Sequence, residues 1–301
     1  MNHKKIWKEV VFFSDGLKIA AYLYTPEDWK PGVPARPAIV VLHGYSGMKD
    51  VYGLDVPERL WREGYFVLAI DHRGFGDSEG KRGRPNPLEQ TQDVYDAVTY
   101  LQTVSGVDPD RIGIYGTSWG GGTAIWTAAF DKRIKVVVSA VMVSDGEQWM
   151  RAVRRLYEWP EFEMQVYAAA RRRVATGTVE RIELTDLMIC DPHTKSVFAD
   201  HHVKDHRYTN KFELESAEWC VRWKPQWVAH RIAPRPVLII YAENDLLVPV
   251  EQQIDCFNAL GEPKKLVKLP KAQHYESYKF VNPDIAEISL TETAHWFKTH
   301  L

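Results

Sequence analysis

The chain is short of cysteine, has no long apolar run and carries no excess of charge of one sign. Each absence narrows what it can be. Cys190, Cys220 and Cys256 are its three cysteines, an odd number with no C-x-x-C spacing. That leaves neither a disulfide framework nor a thiolate zinc site. No stretch approaches the ~20 consecutive apolar residues that cross a bilayer. The opening "MNHKKIWKEVVFFSDG" has lysines but no apolar h-region and no small-residue cleavage site, so no secretory signal is read there. Lys and Arg total 38 against 40 Asp and Glu, a net charge of −2, without the basic balance that marks a nucleic-acid binder. Repeats and low-complexity segments are also missing. The expectation is a soluble, reduced, cytoplasmic protein that acts on a small molecule, with neither nucleic acid nor membrane as partner. Nothing in the sequence sets its oligomeric state.

What is present is an ordinary globular composition, 45% apolar and 26% charged over 301 residues, long enough for one large domain or a core with an insertion. "VVFFSDGLKIAAYLY" places two β-rich runs around Ser14-Asp15-Gly16 and reads as a hairpin. After a Pro-rich link, wholly apolar runs alternate with helical stretches. "AIVVL" (38–42), "FVLAI" (66–70), "RIGIY" (111–115) and "IKVVVSA" (134–140) are separated by helices near 55–63, near 88–103 and after Ser118. Runs of this kind suit strands buried on both faces of a parallel sheet. The alternation stops between about Asp145 and Pro225, where no strong strand is read and where "EQWMRAVRRLYEW" and "EMQVYAAARRRVA" read as helices. It resumes with "RPVLIIYAEND" (235–245), a helix near 250–260, "KKLVKLP" (264–270) and a closing helix near 284–299. The organisation expected is a core of residues 1–144 and 226–301, interrupted by a helical cap over residues 145–225.

The chemistry concentrates at "RIGIYGTSWGGG" (111–122). Gly116-Thr117-Ser118-Trp119-Gly120 fits G-x-S-x-G between a strand and a helix, the setting in which a serine is forced out on a sharp turn. A serine hydroxyl attacks only if a base takes its proton and a third group orients that base. In the chain order Ser, acid, His, both partners should follow at later strand ends. Asp245 follows "VLIIYAEN" and His274 follows "KLVKLPKAQ", one βα unit apart. Glu243 is the competing acid. Two donors are needed for the oxyanion: the N–H of Trp119, directly after the serine, and a donor from "HGYSG" (43–47), where Tyr45 offers its N–H and its phenol. In that loop His43 is read as a brace.

The motifs "HGYSG", "DHRGFGDSEG" (71–80), "GTSWGG", "AENDLLVP" (242–249) and "QH" (273–274) resemble the α/β-hydrolase superfamily over the whole chain except the insertion. Within it, the chain is most similar to the branch of dienelactone hydrolases and X-Pro dipeptidyl-peptidase-like esterases. The resemblance implies a mostly parallel eight-stranded sheet with helices on both faces, a lid near 145–225 and a Ser118–His274–Asp245 triad. It departs from many relatives at Gln273, where they carry glycine.

The expected function is cofactor-free hydrolysis of a small or medium carboxylic ester through an acyl-enzyme on Ser118. An amide, thioester, lactone or C–C bond, or acyl transfer, would use the same triad, and a non-catalytic binding protein would normally have lost one of its members. "HHVKDH" (201–206) offers metal-ligand residue types but lacks the glutamate of H-E-x-x-H, and no metal is expected. Substrate contacts are expected from the insertion, at Trp149 and Arg154, with Arg151, Arg154 and Arg155 sharing one helical face.

Overall fold

The computed structural model describes residues 6–51, 54–202 and 205–301, the side chains of 201 and 202 excepted. In chain order the strands are β1 (Trp7–Ser14), β2 (Leu17–Tyr24), β3 (Arg36–Leu42), β4 (Phe66–Ile70), β5 (Val107–Thr117), β6 (Ile134–Ala140), β7 (Arg181–Glu183), β8 (Lys211–Glu213), β9 (Val237–Ala242) and β10 (Lys264–Leu269). The helices are α1 (Asp55–Arg62), α2 (Pro87–Thr103), α3 (Trp119–Phe130), α4 (Gly146–Ala152), α5 (Glu158–Thr176), α6 (Leu184–Leu187), α7 (Pro192–Val197), α8 (Glu215–Arg222), α9 (Val250–Ala259) and α10 (Pro283–His300).

Eight strands form one sheet in the order β1-β2-β4-β3-β5-β6-β9-β10. The hairpin β1–β2 joins β4 antiparallel, and every other pairing is parallel. Asp15 and Gly16 both take positive φ, 48° and 79°, the backbone of a turn whose twist matches its flanking strands. All five residues of β4 are buried, as expected of a strand covered on both faces. Four of the helices, α2, α4, α7 and α10, start at a side-chain cap. The Asn86 side chain accepts the Leu88 and Glu89 N–H groups with Pro87 at the first position, and Asn282 with Pro283 does the same for α10.

The strand order decides where a site can form. From β3 the chain winds first to β4 on one side and then to β5 on the other. The loops leaving β3 and β5 therefore part at the carboxyl edge and open a crevice there. Those loops are His43–Lys49 and the turn at Ser118. Two apolar clusters cover the two faces of the sheet. A third joins Tyr45 and Trp119 at that edge to residues of α4, α5, α6 and α8.

Two sequence expectations are corrected in the segment between β6 and β9. "EQWMRAVRRLYEW" is not one helix: α4 ends at Ala152 and α5 begins at Glu158. The Glu158 carboxylate accepts the Arg155 N–H at 2.8 Å across the break, and Arg154 and Arg155 lie between the two helices, so Arg151, Arg154 and Arg155 share no helical face. The segment also holds an antiparallel ribbon, β7 with β8. Three residues per strand are too few for a two-residue period to show.

Candidate active site

Ser118 sits between β5 and α3 with φ 55° and ψ −120°, an unfavourable backbone for a residue with a Cβ. The neighbouring chain holds it there. Its N–H donates to Ala140 O at 2.8 Å, and its carbonyl accepts the Val143 N–H at 3.1 Å and the Gly121 N–H at 3.0 Å. Close approach explains the surrounding glycines. A Cβ on Gly116 would lie 2.0 Å from Gly120 O, and one on Gly120 would lie 2.4 Å from His43 O.

The loop after β9 supplies Asp245 and the turn after β10 supplies His274. His274 Nε2 lies 3.0 Å from Ser118 Oγ, and His274 Nδ1 lies 2.7 Å from Asp245 Oδ2. A carboxylate accepts only, so Nδ1–H donates to Asp245 and Nε2 is left to accept from the serine hydroxyl. The second Asp245 oxygen accepts the Leu247 N–H at 2.9 Å and the Val248 N–H at 2.8 Å. Glu243 faces elsewhere. It pairs with Lys268 and accepts the Lys271 N–H, and the Lys268 hydrogen bond holds its carboxyl below the usual range. Gln273 has a definite place: its side chain and that of Glu276 cap the turn of His274 reciprocally.

The loop from His43 lies against the serine, with a Cβ built on Gly44 falling 3.3 Å from Ser118 Cβ. The Tyr45 phenol turns away into the third apolar cluster. It accepts from the Cys220 thiol at 3.6 Å and its ring packs on Trp119, Trp149 and Phe212. The 44–45 peptide is therefore the part of this residue pair beside the serine. Trp119 is fully buried and its indole N–H donates to Gln90 Oε1 at 2.8 Å, which fixes the residue whose backbone opens α3. His43 braces the loop: Nδ1 lies 2.7 Å from Gly44 O, and Nε2 accepts the His72 N–H at 3.1 Å.

The narrow cleft at Ser118 and His274 is lined, beyond the loop, by Met188, Phe198, Leu247, Tyr275 and Tyr278. No Asp, Glu, Lys or Arg side chain lines it. Sequence reasoning missed these five. Leu247, Tyr275 and Tyr278 were within reach because they neighbour Asp245 and His274 in the chain; Met188 and Phe198 gave no signal. Trp149 and Arg154, expected at the substrate, do not line this cleft. Trp149 is buried behind Tyr45 and Trp119. Arg154 is 9% exposed and donates to the carbonyls of Met150, Asp186 and Leu187 at 2.8–2.9 Å, with its guanidinium over the Phe162 ring. Burial pulls it down to about 10. An arginine so engaged has no free donor fork for a substrate anion.

Of "HHVKDH", Val203, Lys204 and the side chains of His201 and His202 lie outside the described residues. His206 is exposed and Asp205 pairs with Arg207. Among the described residues no three His, Cys, Asp or Glu side chains cluster as metal ligands. The three thiols are buried, and burial pushes each up to about 12. Among the described residues no helix is long and apolar enough to cross a membrane.

Residues 33–275 match the family described as "Serine aminopeptidase, S33". The thiohydrolase aneE of Aspergillus aculeatus is 27% identical over 291 residues, covering 91% of this chain and 88% of its own. In structure, a hypothetical protein of Pseudomonas aeruginosa superposes with a TM-score of 0.84 at 23% identity over 99% of this chain and 95% of its own. GrgF, an α/β hydrolase from Penicillium sp., gives 0.80 at 21% identity over 98% of each chain. The expected superfamily is the one found, while the matching family differs in name from the branch that the motifs suggested. The chain belongs to the serine aminopeptidase S33 family of α/β hydrolases.

Proposed function

We propose that this protein is a serine hydrolase that cleaves a carboxylic ester through an acyl-enzyme on Ser118. The observation that carries this reading is the hydrogen-bonded line Ser118 Oγ–His274–Asp245 at the carboxyl edge of the sheet. His274 Nε2 takes the hydroxyl proton as Oγ attacks the acyl carbon. Asp245 holds the ring in the required tautomer and stabilises the imidazolium. Backbone N–H groups of Trp119 and Tyr45 receive the oxyanion. His274 then gives its proton to the leaving group, and water repeats the sequence to free the acid. Residues 145–225 act as the cap over this edge, through the apolar cluster they share with Tyr45 and Trp119.

Fluorophosphonate labelling tests the reading directly. The wild type should be labelled once, at Ser118, and Ser118→Ala should lose both labelling and turnover with its fold intact. Undiminished labelling of that variant would falsify the assignment.

A second reading has its own support. Relatives named thiohydrolase and polyketide transferase favour a thioester donor, with water or another nucleophile resolving the acyl-enzyme. Matched esters and thioesters, assayed with and without added alcohols and amines, separate the two. Faster thioester turnover, with acyl product on the added acceptor, selects the second.

A further inference from the structure

We infer that the site has a second compartment behind Phe198 that receives the far end of the leaving group and, through Lys195, favours one that is negatively charged. This rests on the proposed role of Ser118 and His274. Phe198 lines the cleft at Ser118 on one side. It also lines an open surface cleft whose wall includes Thr185, Lys195, Tyr208 and Asn210. One buried ring thus separates the two spaces. It is the first residue of a π-helical turn, Phe198–His202, a rare backbone form that is frequent at functional sites.

Chemistry assigns the side of the site. The leaving group must lie against His274 Nε2 to take up its proton. The partition stands on that side, since α7 packs on the turn His274–Ser277 and the Phe198 ring meets Tyr275 edge-on at 6.0 Å. A group departing from His274 past Tyr275 reaches Phe198 next. The two spaces differ in character. No Asp, Glu, Lys or Arg side chain lines the inner one. In the outer one the lining charges are Glu183 and Lys195; Glu183 is paired with Lys211, which leaves Lys195 as the lining charge with no ion pair among the described residues. Thr185, Asn210 and Tyr208 also line it.

The test uses acetyl thioesters of ethanethiol, hexanethiol and 6-mercaptohexanoate, with hexanoyl-S-ethyl as the acyl-side control, and reads released thiol. The wild type should prefer 6-mercaptohexanoate to hexanethiol. Lys195→Ala should lower that ratio about two- to fivefold, the scale of one exposed charge contact. Phe198→Ala should raise kcat/KM for both six-carbon thiols relative to ethanethiol by about tenfold, the scale of a few relieved methylenes. Phe198→Leu should fall between. Labelling by a small fluorophosphonate reports which variants keep a folded serine site. If Phe198→Ala instead raises hexanoyl-S-ethyl, the compartment serves the acyl group and the inference is wrong. A labelled Phe198→Ala or Phe198→Leu with unchanged ratios, or a Lys195→Ala that scales all substrates equally, overturns it too. Failure of the wild type to label at Ser118 would instead sink the reading beneath it.

Discussion

Asp245 and Glu243 lie on one loop, two residues apart, and only one of them meets His274. Asp245 gives one oxygen to the imidazole and the other to two backbone N–H groups, so the carboxylate cannot rotate without losing bonds. Glu243 is tied to Lys268 and Lys271 at the surface. Asp245→Asn should therefore lower kcat by up to ~10⁴ through loss of the correct tautomer. Glu243→Gln should leave kcat within a few-fold. Steady-state kinetics on the pair decides the matter, and the reverse ranking would reassign the acid. Arg154 makes the contrasting case of a charged residue with a structural job. Removing its guanidinium takes the donor from the carbonyls of Met150 in α4 and of Asp186 and Leu187 in α6. Arg154→Ala should cost on the order of 3 kcal/mol of stability, read as a lower denaturant midpoint. Substrate ranking should not change; an altered ranking at wild-type stability would restore Arg154 to the substrate.

At the scale of elements, legibility in the sequence followed the length and regularity of the burial pattern. β4 and β6 fall on the runs read at 66–70 and 134–140, because a strand buried on both faces must be apolar throughout. The turn at Ser118 was equally legible, since glycines that admit a neighbouring carbonyl leave a mark in the sequence. Between 145 and 225 the pattern failed for a physical reason. There the backbone is redirected by single side-chain bonds, Arg154 to distant carbonyls and Glu158 to Arg155, and such bonds have no period. The same limit hid Met188 and Phe198, which reach the site through the folding of the insertion and not through a motif. Gln273, which stood out only as a departure, proves to cap the turn that carries His274. Gln273→Ala should loosen that turn and cost about 1 kcal/mol, with kcat falling more than KM rises. An equal loss of stability with unaltered kcat would show the cap to be structural alone.

Across the whole molecule, the segment between β6 and β9 is joined to the loops after β3 and β4 by charge as well as by apolar packing. Arg207 pairs with Asp205 beside it and with Asp50 and Asp77 of those loops, all within 2.9 Å. The Arg207 hydrogen bond holds Asp205 down to about 2, and Lys49 and Arg207 hold Asp77 low against its burial. A carboxyl with a depressed folded value stabilises the fold above its unfolded value and loses that contribution as pH falls toward the folded one. The stability difference between wild type and Arg207→Ala should thus be full near neutrality and fade between about pH 4 and pH 2. Equilibrium unfolding of both proteins across that range measures it, and a pH-independent difference would count against the clasp. Beneath it, Lys49 and Asp71 form a pair at 2.6 Å with side chains 1% and 0% exposed. Lys49→Met should destabilise by about 3–5 kcal/mol because it strands a buried carboxylate, and Lys49→Met with Asp71→Leu by much less.

The layer behind Tyr45 gives the molecule an optical signature. The rings of Trp119 and Trp149 lie 5.9 Å apart, those of Trp119 and Trp223 6.0 Å, and those of Trp126 and Trp223 4.6 Å. Indoles so close and so rigidly held couple their electronic transitions, so the native state should show a strong near-ultraviolet dichroic band. Trp119 directly follows Ser118 in the chain, and any shift of that turn during acylation moves one member of the coupled set. If the proposed acyl-enzyme forms, stopped-flow emission at tryptophan wavelengths should follow the arrival and departure of the acyl group without any chromogenic substrate.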